Sequence, residues 1–137
     1  MNYTNAEFRS ILNGFGYKPK TQADGSNFPV SNDNSVLTDP LTLQAIKKFQ
    51  SEYKLVVDGI VGPKTMNKAE EVMKILQNEL NSCVKANLPA NQPFYGPMTT
   101  TAVKNFQRKV QRVPNGIADH DLRVRLYNLY KSGSCPV

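Results

Sequence analysis

Apolar residues along this chain recur mostly at steps of three and four, the period of a helix with one buried face. Phe8, Ile11, Leu12 and Phe15 form the first stripe, with Thr4 and Glu7 at capping-box spacing ahead of it and Gly14 and Gly16 as a stop. The spacing predicts a helix over 5–14. Asp39 and Pro40, an N-cap followed by a first-turn proline, precede a second stripe of Ala45, Ile46, Phe49 and Tyr53 and predict a helix over 40–53. Between Pro63 and Pro89 there is neither proline nor glycine, while Met66, Ala69, Met73, Leu76, Leu80 and Cys83 alternate steps of three and four. One continuous helix with a heptad seam is expected there, about 22 residues and roughly 33 Å long at about 1.5 Å per residue. Gly96 and Pro97 open a fourth helix with the stripe Ala102, Val103, Phe106 and Val110. The last helix begins at Asp119 and uses Leu122, Leu126, Leu129 and Tyr130. The fold class is therefore all-α.

The stripes also repeat each other. Ala45, Ile46, Phe49, Gln50, Gly59 and Ile60 return as Ala102, Val103, Phe106, Gln107, Gly116 and Ile117, every pair 57 residues apart (106 − 49 = 57). One supersecondary unit is used twice, in repeats over 1–71 and 72–137. The long central helix closes the first repeat and opens the second, which couples them rigidly. Residues 17–38 are rich in Asn, Asp, Ser, Gly and Pro, and read as a loop with a short extended piece around 28–30. The connection from Leu12 to Leu37 is 25 residues against 18 from Leu76 to Phe94, so the first repeat carries an insertion.

The segments LTLQAIKKFQSEYKLVVDGIVGPKT and MTTTAVKNFQRKVQRVPNGIADHDL, a helix ending in FQ followed by a DGIVGPxT-type loop, resemble the peptidoglycan-binding domain family of bacterial cell-wall proteins. FRSILNGFGY and MKILQNELNS resemble that family's first helix, so the similarity spans most of the chain; the second copy is degenerate, with NGIAD for DGIVG. The resemblance implies a small three-helix module that targets wall hydrolases or phage lysins to peptidoglycan.

Composition narrows the partners. A length of 137 residues allows one compact domain or two very small ones, and 39% hydrophobic content suffices for a core. No apolar run approaches the roughly 18 residues of a membrane span, and the N-terminus has no signal-peptide pattern. A cell-envelope or extracellular location then requires a removed signal or another export route; the start at Met1 reads as a whole gene product. The formal charge of +6 lies wholly in the second half, nine basic and three acidic residues over 72–137. Arg108, Lys109, Arg112, Arg123 and Arg125 form either a surface attracting an anionic wall polymer or a solvated helix face. Nucleic acid is disfavoured because the aromatics fall at core spacing. Cys83 and Cys135 are either a disulfide pinning the C-terminal tail to a helix end, or two unrelated thiols.

The repeated loops carry mainly structural chemistry. Asp58 accepts hydrogen bonds from its own turn, Gly59 permits positive φ, Ile60 plugs the core, and Gly62 with Pro63 starts the next helix. In the second copy Asn115 replaces Asp58, and Asp119 replaces Gly62 as a cap. Candidate ligand contacts are the polar and aromatic residues in and beside these loops: Gln50, Tyr53, Asp58, Lys64 and Thr65 in the first copy, Tyr95, Gln107 and Arg108 in the second. No enzyme is expected. GxSxG, HExxH and cysteine clusters are absent, and the single His120 in the run Asp119, His120, Asp121 reads as a charged helix start, so neither a metal nor a cofactor is called for. Two function classes remain: non-catalytic peptidoglycan binding that targets or anchors at the wall, alongside a wall hydrolase or envelope protein; or a structural protein docking a partner in an envelope or phage assembly.

Overall fold

The computed structural model describes residues 1–17 and 28–136. Among them five helices run in order, α1 (Asn5–Gly14), α2 (Pro40–Glu52), α3 (Pro63–Val84), α4 (Pro97–Lys109) and α5 (His120–Lys131), with no strand. No helix among the described residues is long and apolar enough to cross a membrane.

The helix starts follow the capping chemistry in the sequence. The Glu7 N–H donates to Thr4 Oγ1 at 3.1 Å while the Glu7 carboxylate accepts from the Thr4 N–H at 2.8 Å, a reciprocal box. Asp39 accepts from the Thr42 N–H at 3.2 Å and Asp119 from the Leu122 N–H at 2.9 Å. Gly62 and Gly96 cap α3 and α4 without a side chain, and each is followed by a proline that has no N–H to satisfy. Helix α2 stops at Glu52, with Tyr53 as its C-cap.

The expected extended piece at 28–30 is instead a turn, entered through a cis Phe28–Pro29 bond. Its polar groups are met by side chains of α1: Asn13 donates to the Pro29 carbonyl at 3.1 Å, and Ser10 Oγ accepts from the Ser31 N–H at 2.8 Å. With those partners supplied, no neighbouring strand is needed. Arg9, 1% exposed, donates to the carbonyls of Asp33 and Val36 and to the Asp39 carboxylate, fastening the segment that leads into α2. The rest of the expected loop, 18–27, lies outside the described residues.

Helix α3 is one unbroken rod of 22 residues, with Ala69, Met73, Leu76, Leu80 and Cys83 buried along its seam. Helix α1 packs on α2, and α3 packs on both α4 and α5. The buried apolar residues of both repeats form a single cluster. Phe49 of α2 meets Phe15 at 6.4 Å, Phe15 meets Tyr95 at 6.1 Å, and Phe94 meets Tyr3 at 5.9 Å, so edge and stacked rings run from one repeat into the other. Glycine is required at position 14, where a Cβ would fall 2.5 Å from the Tyr95 ring. A disulfide between Cys83 and Cys135 ties the tail beyond α5 to the end of α3.

Glu79 sits on the buried face of α3, 4% exposed, and among the described residues no hydrogen bond or ion pair reaches its carboxyl. Desolvation raises its pKa from 4.5 to about 7. The folded chain therefore keeps a proton that the unfolded chain loses, and stability falls as pH rises from about 4.5 through about 7. Urea unfolding well below and well above this window should show a loss of about 1–3 kcal/mol at the higher pH. Glu79→Gln should flatten that slope, and an unchanged slope in the variant would assign it to other groups.

Candidate functional site

Each repeat ends its middle helix in the same way. Phe49 and Phe106 are fully buried anchors, and the next residue, Gln50 or Gln107, turns its amide into the following loop. Lys54 and Gln111 adopt positive φ, 56° and 60°, which reverses the chain past the helix end. The Leu55 N–H then closes on the Gln50 carbonyl and the Arg112 N–H on the Gln107 carbonyl, both at 2.8 Å.

Side-chain amides complete the loops. Gln50 Nε2 donates to Asp58 Oδ1 and to the Ile60 carbonyl, both at 3.0 Å, while its Oε1 accepts from the Gly59 N–H at 3.0 Å. Gln107 Nε2 donates to Asn115 Oδ1 at 2.8 Å and to the Ile117 carbonyl at 3.2 Å, and its Oε1 accepts from the Gly116 N–H at 2.9 Å. Asp58 and Asn115 each accept from the N–H two residues on at 2.9 Å, so Asn115 does replace Asp58 in the turn. The Ile60 N–H, then the Gln50 amide, hold the Asp58 carboxyl below its usual range. Gln50 has a further acceptor, Thr65 Oγ1 at 3.2 Å, which the second copy lacks because Leu122 stands there.

This geometry sorts the residues singled out from the sequence. Gln50 is 1% exposed, Gln107 3%, Thr65 5% and Tyr95 1%; Gln50, Gln107 and Tyr95 lie inside the fold, and Thr65 is a mostly covered residue in the wall of the first-loop groove. Tyr95 donates to the Gly116 carbonyl at 2.6 Å and accepts from the Ala118 N–H at 3.2 Å, bracing the second loop. Ile60 does not plug the core: its backbone is held by Gln50 and Asp58, which leaves its side chain outward and 66% exposed. Tyr53 packs on Phe49 at 5.0 Å, away from the loop's tip, with Lys68 over its ring. Asp58, Lys64 and Arg108 are exposed, Arg108 donating to Asn105 at 3.1 Å.

Arg123 leaves the expected basic surface. Its guanidinium donates to the carbonyls of Phe15 and Ala118, to Tyr17 and to Glu52, and stacks 4.8 Å over the Phe15 ring, joining α5 to the first repeat. Its fixed donors and cation–π contact make it a structural tie. Arg108, Lys109 and Arg125 stay exposed.

What remains open is the outer side of the first loop. A groove of about 560 Å³ runs between Lys54, Val56, Ile60 and Lys64, and Val56 (76% exposed) and Val57 (51%) stand proud beside it. The second loop is exposed at Val113 but covered at its far end: the Ala118 N–H donates to the Gly14 carbonyl at 2.7 Å, and a Cβ at Gly16 would touch the Ile117 side chain at 3.4 Å.

An all-helical tandem module with a shared central helix and two glutamine-held loops is thus defined by its geometry. The chain belongs to the peptidoglycan-binding domain family: the family described as a putative peptidoglycan binding domain matches residues 6–68 and again residues 70–126. No curated protein and no solved structure matches the chain.

Gln50→Ala should leave the Gly59 N–H and Ile60 carbonyl without their partner and cost about 1–3 kcal/mol. Amide exchange at Gly59 should accelerate with it. Protection equal to wild type would show that the loop is ordered without the glutamine.

Proposed function

We propose that this chain binds bacterial peptidoglycan without catalysing a reaction on it, through the outer face of the first loop, and so targets or anchors at the wall. The observation that carries this reading is the combination of membership in a peptidoglycan-binding family with an apolar, lysine-edged groove on a loop already ordered by Gln50. Val56, Val57 and Ile60 offer apolar contact to sugar faces and to the methyl groups of wall peptides. Lys54 and Lys64 offer ammonium donors to peptide carboxylates at the groove's edges. Preorganisation matters here, because a loop that does not need to be ordered on binding loses less entropy to its ligand.

The second repeat contributes differently. Its loop is occupied by contacts with α1, and Asp121 stands where the first repeat has Lys64, so a second groove of the same charge is absent from the equivalent place. Arg108, Lys109 and Arg125 supply a diffuse attraction to anionic wall polymer, screened over about 8 Å at physiological salt. On this reading the protein works in the cell envelope or outside the cell, beside a wall hydrolase or an envelope protein.

Co-sedimentation with purified insoluble peptidoglycan tests the assignment. An Ile60→Asp, Lys64→Ala double variant changes only exposed side chains, and should weaken binding by about tenfold while its thermal unfolding stays close to wild type. Undiminished sedimentation of the double variant would remove the first loop as the site. No wild-type binding at all would turn the reading to protein docking in an envelope or phage assembly.

A further inference from the structure

The partnerless carboxyl of Glu79 lies in the wall of a cavity of about 150 Å³ between the end of α2, the middle of α3 and α5. Tyr53, Ile75, Leu76, Arg123 and Tyr127 also line it. Glu79 is 4% exposed, and the other residues on this face of α3 are apolar, Val72 and Leu76 among them. A carboxyl there is costly in its charged form unless a cation and hydrogen-bond donors meet it.

No cation among the described residues does so. The terminal nitrogens of Arg123 are taken by Phe15, Ala118, Tyr17 and Glu52. Lys68 pairs with Glu71 at 2.8 Å and lies 5.9 Å over the Tyr53 ring. Lys131 lies 5.7 Å over the Tyr127 ring. Both tyrosines that border the cavity therefore already attract ammonium groups to their π faces, but the buried carboxyl beside them is left over. At about 150 Å³ the cavity has room for a short alkyl stem with an ammonium head.

We propose that this cavity is a second ligand site, which takes a primary ammonium on a short alkyl stem, with the stem along Ile75 and Leu76 and the charge on Glu79. The proposal rests on the peptidoglycan reading for its source: an uncross-linked diamino acid of a wall peptide presents such an amine, and cross-linking converts it to an uncharged amide. The site would then favour wall regions whose peptides are not yet joined, adding a second attachment point to the groove of the first loop.

NMR titration of the intact protein with n-butylammonium, against N-butylacetamide as the uncharged control, decides whether the cavity binds. The expected result is shifts at Ile75, Glu79 and Tyr127 with the amine alone, weakened at least about tenfold in Glu79→Gln. That variant removes the ability to ionise without changing shape, and its circular dichroism and melting curve would verify folding. Equal responses to amine and amide, or amine binding retained by the folded variant, would overturn the proposal. Peptidoglycan with free and with acetylated amines then tests the source. Acetylation should weaken sedimentation of wild type and not of Glu79→Gln. Wild-type binding unaffected by acetylation would overturn the wall amine as the ligand while leaving the first-loop groove standing. Failure of any sedimentation would instead remove the peptidoglycan reading, and with it the wall source, while the butylammonium titration still decides the cavity.

Discussion

Backbone continuity through α3 places everything else in the molecule. A helix of 22 residues without glycine or proline in its interior has no hinge, so the third helix of one repeat and the first helix of the next are coaxial and locked in rotation. The second repeat must then sit where the rod puts it, which is against the end of α1. Phe15, Tyr95 and Gly14 meet at that junction, and the two apolar stripes merge into one core. A flexible linker in place of the rod would have left two very small modules, each with little buried surface.

That placement gives one sequence unit two fates. Both loops are built alike, by a helix-end glutamine whose amide satisfies the backbone of a glycine turn. Hydrogen bonds from a buried side chain suit a loop that must keep its shape while its outer side is wet, because they saturate the polar backbone without covering it with apolar mass. In the first copy the outer side remains free and carries Val56, Val57 and Ile60 into solvent. In the second copy the end of the loop at Ile117 and Ala118 is covered by α1, through the Ala118 to Gly14 hydrogen bond, and braced by the Tyr95 hydroxyl, while Val113 stays 73% exposed. The drift from DGIVG to NGIAD accordingly changes residues whose duties in the second loop are structural: Asn115 still holds its turn, and Asp119 caps α5.

Charge is used inside the molecule as much as on it. Arg9, buried, and Arg123, half-buried, are both tie-points, each spreading its guanidinium over several carbonyls and a carboxylate of a partly exposed acid. The fork of donors lets a single side chain fasten segments that lack regular structure. Glu79 is the exception, a carboxyl without such partners among the described residues, and its desolvation favours the protonated form.

Much of this was legible in the chain as written. The five helices, the caps at Thr4, Asp39 and Asp119, the unbroken rod and the repeat offset all follow from local rules, because helix periodicity and capping involve residues three or four apart. The duty of Gln50 and Gln107 was missed, although a signal existed: a glutamine that recurs at the same offset as a positive-φ glycine belongs with that turn. Ile60 was misplaced for the same reason, since its side-chain direction depends on which way the held backbone faces. For Arg9, Glu79, Tyr95 and Arg123 the sequence contains no local sign of burial. The partners of Arg9 lie 24–30 residues away and those of Arg123 up to 108, as Phe15 is, and only tertiary packing brings them together. The sequence by itself thus determined the helices, their ends and their repetition, which short-range hydrogen bonding and periodicity control. Only the tertiary structure decided which loop stays open, which charges are buried and where the cavity forms, because those depend on the angle at which a rigid rod presents one repeat to the other.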